Sequence, residues 1–446
     1  MQARNRTRDV IISGFALFAI FFGAGNLIFP PMLGNMAGND WGQAMLGFLS
    51  TDPVLPILGV IATAFVGGRP EDLGKRVSRR FAIIVAGICI LLIGPILSVP
   101  RTAATTFEIA VNPYIGSDIS QMAMIATSVI FFAITFFFAV NEGRVIDIIG
   151  RFLTPGLLIV LTGIIIKAVF TPIGEIVDTG IENAFNVGFI EGYQTMDALG
   201  AALLCGVVLT DLIKNGYTER KEQRSMLIKV GIIAGVLLAF VYGGLTYVGG
   251  TTSTTPATDR VALLLYSVRE VFGSAGGVLM GIAVTLACLT TSVGLVSTCG
   301  NFFSKVTGGK LSYRLIVTVV VIFSTLMSLL SVEGIVSLAY PILMTIYPVV
   351  IVLIVLTLFD RYIPYDIMYT GPVIVAGVLG FIEAMYANYE LLGGPYSMMQ
   401  GLPLANLGFP WVVPTIIALI VCTVIGKVIG GKDTREPVEK GLSVRE

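Results

Sequence analysis

Histidine is missing from all 446 residues, and only 13% of them are charged. The first absence removes the commonest metal ligand, any H-E-x-x-H zinc site and the usual general base near neutral pH. Proton chemistry therefore falls to carboxylates. The five cysteines have no metal-like or redox spacing, and Cys205, Cys288 and Cys422 lie inside apolar runs, so no disulfides are expected. Lysine plus arginine and aspartate plus glutamate both number 28, so no net field points to nucleic acid. No G-x-S-x-G elbow is present; the one G-x-S is Gly441-Leu-Ser443. Gly426-Lys-Val-Ile-Gly-Gly-Lys432 matches part of a phosphate-binding loop. Asp433 stands where Ser or Thr must meet Mg²⁺, however, and an apolar run precedes it instead of a strand. These absences argue against an enzyme and against ATP-driven transport by this chain alone.

What the chain has in quantity is apolar sequence, 55% of its residues. Runs long enough to cross a hydrocarbon layer of about 30 Å, which takes about 20 helical residues, recur throughout. The spans are 9–32, 42–68, 81–112, 120–140, 147–170, 190–213, 226–250, 274–303, 312–332, 335–359, 366–388 and 410–430. This predicts an all-α integral membrane protein of about twelve transmembrane helices, one domain over 1–446, with lipid as its solvent. The basic segment Met1–Val10 runs into an apolar stretch with no small-residue cleavage site and reads as part of an uncleaved first helix. Of the 28 basic residues, 24 fall on alternate connections and the two ends, which predicts cytoplasmic termini. Arg101, Lys167, Arg260 and Arg269 stand outside that alternation. Ala257 to Phe272 carries an apolar face of Val261, Leu264, Leu265 and Val268, and reads either as a lid helix or as a solvated surface helix.

Two spans contain breaks. The first reads Ile20-Phe-Phe-Gly-Ala-Gly-Asn-Leu-Ile-Phe-Pro-Pro31, with glycines near the bilayer midplane. Paired glycines are also ordinary close-packing sites in membrane helices. The sixth span, Glu191-Gly-Tyr-Gln-Thr-Met-Asp-Ala-Leu-Gly200, places Asp197 where a charge costs roughly 2.5–3.5 kcal/mol. Five helices form an odd-numbered unit, so a second unit beginning at helix six enters from the opposite face. The expected architecture is a 5+5 inverted repeat, units about 9–170 and 190–359, with accessory helices over 366–430 and a tail over 431–446. Broken helices in such a repeat offer free amides to an anion and free carbonyls to a cation, which suits a zwitterion and disfavours a channel built from rings of like charge. In helix 8, Thr290 and Thr291 with the Ala287 carbonyl offer oxygens to a small hard cation, although such residues also bond back to their own helix.

Three runs carry a resemblance: Phe15 to Pro31, Gly94-Pro-Ile-Leu-Ser-Val-Pro-Arg-Thr-Ala-Ala-Thr-Thr-Phe-Glu108, and Gly192-Tyr-Gln-Thr-Met-Asp-Ala-Leu199. Together they resemble the branched-chain amino acid:cation symporter family over essentially the whole chain. The resemblance implies Na⁺-coupled uptake of leucine, isoleucine and valine across a bacterial inner membrane, on the leucine-transporter fold, by a monomer or weak homo-oligomer. It implies that the amides of Ala24 and Gly25 face the substrate carboxylate and that Asn26 braces the break or contacts a cation. Carbonyls of Tyr193, Gln194 and Thr195 would meet the ammonium, and Asp197 would serve ammonium, ion or proton. Na⁺ would lie between the carbonyls of Ala19 and Phe22 and the oxygens of Ala287, Thr290 and Thr291. Helix 1 lacks the basic residue that related transporters place beyond the break, so the outer gate must differ. Arg101 and Glu108, seven apart on one face, read as a buried structural pair with Asp52 as third member; Glu383 reads as solvated. The alternative is an H⁺-coupled or exchange carrier for other neutral amino acids, using Asp197 or Glu108.

Overall fold

The computed structural model describes residues 6–141, 145–214 and 216–429. The tail 431–446 and the basic residues Arg4 and Arg144 lie outside the described residues. Among the described residues the chain is helical and contains no strand. The first predicted span divides into α1 (Arg6–Phe21) and α2 (Ala24–Ala37), separated at Phe22 and Gly23. Pro30 and Pro31 do not end it, because α2 runs through both. The second span divides into α3 (Trp41–Thr51) and α4 (Val54–Val66), with Asp52 extended at φ −141° and ψ 111°. The third divides into α5 (Arg79–Leu91) and α6 (Ser98–Ala110) across a wide turn, Leu92–Ile96, where Gly94 leaves helical geometry. Proline supplies the reason in both cases: Pro53 follows Asp52 and Pro95 follows Gly94, and proline disfavours helical geometry in the residue before it.

Helices α7 (Ser120–Asn141) and α8 (Val145–Phe170) are continuous. The sixth span is interrupted as expected, into α9 (Ala184–Tyr193) and α10 (Asp197–Lys214), with Met196 at a φ of 63° between them. Then follow α11 (Arg220–Gly250), α12 (Arg260–Val306, bent at Gly273), α13 (Tyr313–Met327), α14 (Ser331–Leu358), α15 (Ile367–Tyr389), the short α16 (Gly393–Gln400) and α17 (Val412–Val428). Seven helical stretches among the described residues are long and apolar enough to cross a membrane; Gly25–Val66 and Tyr313–Leu358 each join parts of two predicted spans. Large apolar side chains face outward, including Val129 and Phe137 of α7, Ile232 and Val236 of α11 and Ile322 and Leu326 of α13. That belt has lipid as its natural solvent.

The two ends differ in charge. At the basic end Arg6 pairs with Glu222, and Arg76 bridges Asp360 and Asp366 at 2.7 and 2.8 Å. Burial alone would lower the Arg76 pKa, but its two carboxylates outweigh that and raise it above the ordinary arginine value. At the other end Asn35 ties to Thr252 and Thr255, and Thr179 to Met36, closing loops onto α2. The segment from Arg260 to the bend is a helix whose Val261, Leu264, Leu265 and Val268 face is buried, so it is packed and not a solvated surface helix.

Helices α3 and α9 cross with backbones in contact. A Cβ on Gly188 would lie 1.9 Å from the Ala44 carbonyl oxygen, and one on Gly47 would lie 1.9 Å from that of Phe185. Only glycine permits this approach. The crossing, together with the Thr51 hydroxyl donating to the Phe189 carbonyl at 2.8 Å, sets the break of the second span beside the break of the sixth.

Candidate functional site

Four broken spans bring their polar residues to one place. At the first break the Gly23 N–H turns to the Phe21 carbonyl at 2.9 Å, so the Ala19 carbonyl loses the donor that a continuing helix would supply. Gly23 caps α2 without any side-chain bond to the first turn. The amides of Ala24, Gly25 and Asn26 are thus the uncapped N-terminus of a helix, a ready anion site. Both amides expected to face a carboxylate, Ala24 and Gly25, are in this turn.

Arg101 stands against the same turn. A Cβ on Gly25 would lie 2.5 Å from Arg101 Nη2, so the glycine is what lets the guanidinium approach. Arg101 Nη1 donates to the Gln194 carbonyl at 2.7 Å inside the sixth-span break, and its guanidinium lies over the Phe29 ring at 5.1 Å. One of the three carbonyls expected to meet an ammonium therefore already accepts from arginine. The Tyr193 carbonyl accepts from the Met196 N–H at 3.0 Å, and the Thr195 hydroxyl donates to the Gly192 carbonyl at 2.8 Å.

The expected pairing of Arg101 with Glu108 is overturned. Seven residues of helix separate them by about 10 Å along the axis, so sharing a face does not make them touch. Glu108 instead accepts from the Val332 N–H at 2.9 Å, near the start of α14. Asp52 is likewise not a third member of that pair. Its Oδ2 accepts from Asn26 Nδ2 at 3.1 Å, and the same nitrogen donates to Asp197 Oδ2 at 2.8 Å and to the Tyr242 hydroxyl. Asn26 therefore ties two carboxylates on two different broken spans to the break in its own. Asp52 is completely buried, whereas Asp197 is half-buried. Glu383 is half-buried and lines a small cavity with Tyr193, Phe189 and Phe409.

One of the expected cation residues reaches the first break from the other side. Thr291 lies beside Gly23, its hydroxyl oxygen 3.9 Å from where a Gly23 Cβ would be. The Thr290 hydroxyl gives its proton to the Ala287 carbonyl at 2.9 Å and keeps its lone pairs. Hydroxyl and carbonyl oxygens are hard ligands suited to a small hard cation, so the residues fit one.

Above the site, toward the loop-closed end, Arg260 at the start of α12 bonds Glu191 of α9 at 3.2 Å and Glu333 of α14 at 2.5 Å. Tyr340 adds its hydroxyl to Glu191 at 3.2 Å, and the Arg260 guanidinium lies over Phe29 at 5.5 Å. Phe29 thus carries both arginines. At the opposite, basic end a small cleft is lined by Leu73, Gly74, Ala198 and Leu199, the last two following Asp197 in the chain.

Over 95% of the chain and 96% of the relative, the sequence is 37% identical to the branched-chain amino acid permease BraB of Bacillus subtilis (strain 168). It is 33% identical to the branched-chain amino acid permease BrnQ of Escherichia coli (strain K12), over 97% of this chain and 99% of that one. In solved structures the fold is that of Mhp1: the inward-facing conformation superposes with a TM-score of 0.57 at 12% identity, covering 93% of this chain and 91% of that one. Residues 6–429 match the profile of the family described as Branched-chain amino acid transport protein, and the chain belongs to that family of multi-pass membrane carriers, not enzymes.

Proposed function

We propose that this chain carries leucine, isoleucine and valine into the cell together with Na⁺, by alternating access, in a bacterial inner membrane with both termini cytoplasmic. The observation that carries the reading is the convergence of the uncapped α2 amides with Arg101 on one side and Asp197 on the other. A zwitterion needs both signs within one small site, its carboxylate toward Ala24, Gly25 and Arg101 and its ammonium toward Asp197 and the Thr195 carbonyl. The side-chain class comes from the relatives, whose names specify branched-chain amino acids.

Na⁺ takes the oxygens of Ala19, Phe22, Ala287, Thr290 and Thr291, where α12 meets the first break. Bound there it holds that break in the geometry that presents the α2 amides, so substrate and ion favour each other's binding. One charge crossing about 100 mV is worth about 2.3 kcal/mol, enough for a roughly fiftyfold gradient. The Arg260 network is the outer gate, and the cleft at the basic end is the exit. The unit of transport is the monomer, and the 5+5 inverted repeat is the frame on which the two gates alternate.

Equilibrium binding of radiolabelled leucine to purified protein tests the ion site. Leucine affinity should rise at least tenfold when Na⁺ replaces choline, and Thr291→Ala should remove most of that gain while leaving binding at saturating Na⁺ measurable. Affinity indifferent to Na⁺ contradicts the assignment and favours the H⁺-coupled or exchange carrier for other neutral amino acids.

A further inference from the structure

Asp52 and Asp197 share one amide nitrogen: Asn26 Nδ2 lies 3.1 Å from Asp52 Oδ2 and 2.8 Å from Asp197 Oδ2. Oδ1 of Asp52 is completely buried and has no donor facing it. Arg101 approaches Asp197 from α6, Tyr242 approaches from α11 and Tyr347 from α14, while α2 contributes only Asn26 and the sixth-span break only Thr195. Cys288 of α12 bears on Arg101 and not on the carboxylates.

The charges do not balance as drawn. Arg101 supplies one positive charge against two carboxylates. Two carboxylates this close in a dry site do not both ionise; one proton held between them leaves a single negative charge, which Arg101 matches. It also satisfies the orphaned oxygen, whose burial without a partner otherwise costs about 1–3 kcal/mol or more.

We infer that Asp52 and Asp197 form an acid pair holding one shared proton, a site separate from the Thr290 and Thr291 oxygens. The proton sits between the two carboxyl groups, and when it leaves it passes to water, giving hydronium and a doubly negative pair. The singly charged pair is the form that receives an ammonium group without a net charge at the site. This step concerns the protein's own acids and holds whatever the cargo proves to be.

Infrared spectroscopy of the purified wild-type protein near neutral pH tests it without any transport assay. A protonated-carboxyl C=O band should be present, should shift when aspartate is labelled with ¹³C at its side-chain carboxyl, and should persist in both sodium and choline buffers. Asp52→Asn should abolish the band or move it, because the second carboxyl that shares the proton is gone. No aspartic acid band in the wild type, loss of the band on adding sodium, or an unchanged band in Asp52→Asn each overturns the pair. The isotope shift in the wild type decides the question even where the variant fails to fold.

Discussion

Asn26→Ala should lower leucine uptake by about 100-fold while folded protein still reaches the membrane. One side-chain amide serves Asp52, Asp197 and Tyr242, and thereby joins α2, the second-span break and α10. A hydrogen bond to a charged group contributes about 1.5–3 kcal/mol and a neutral one about 0.5–1.5, so losing one of each amounts to about 2–4.5 kcal/mol at the site where substrate binds. The core clusters that hold the helices together are untouched, so size-exclusion profiles should remain monodisperse. Uptake within a few fold of wild type would show that Asn26 is a packing residue and that the breaks are held by something else.

The second large effect is expected at Arg260. Its side chain and that of Glu191 are 10% and 3% exposed, and removing one partner of a buried ion pair costs about 3–5 kcal/mol because the other charge is left stranded. The structure has this network made, so Arg260→Ala should move the population toward states open on the Arg260 side by about 100-fold. A cysteine at Thr195, with the five native cysteines replaced, should react faster by about that factor with an impermeant maleimide added outside. Glu333→Gln should do far less, because Glu333 is 32% exposed and water takes over much of its role. Equal labelling rates in wild type and Arg260→Ala would remove this network as the gate.

Legibility in the sequence was uneven for reasons that can be traced to particular residues. The breaks of the first and sixth spans could be read, because Gly-Ala-Gly-Asn and a carboxylate in an apolar run are both costly to a membrane helix. Equivalent signals for the second and third spans, Asp52-Pro53 and Gly94-Pro95, are present in the chain but were outweighed there by the length of the apolar runs around them. Asp52 and Glu108 were misplaced because spacing along one helix says nothing about partners on another. Tyr242 carries no local mark that separates it from the other fourteen tyrosines. The gate had an unused signal. Four basic residues fall outside the alternation of charge, and all four bind within the fold: Arg101 at the site, Arg260 at the gate, Lys167 on the Val271 carbonyl and Arg269 over Tyr114. A cation that topology does not explain is one that a specific partner must hold.

Coupling is the centre of the account, and uptake of radiolabelled leucine into liposomes holding the purified protein measures it most directly. The account predicts accumulation under an inward Na⁺ gradient, competed by isoleucine and valine and not by lysine or glutamate, with little uptake under a pH gradient alone. Accumulation driven by the pH gradient without Na⁺ would contradict it and transfer coupling to the carboxylates beside Asn26.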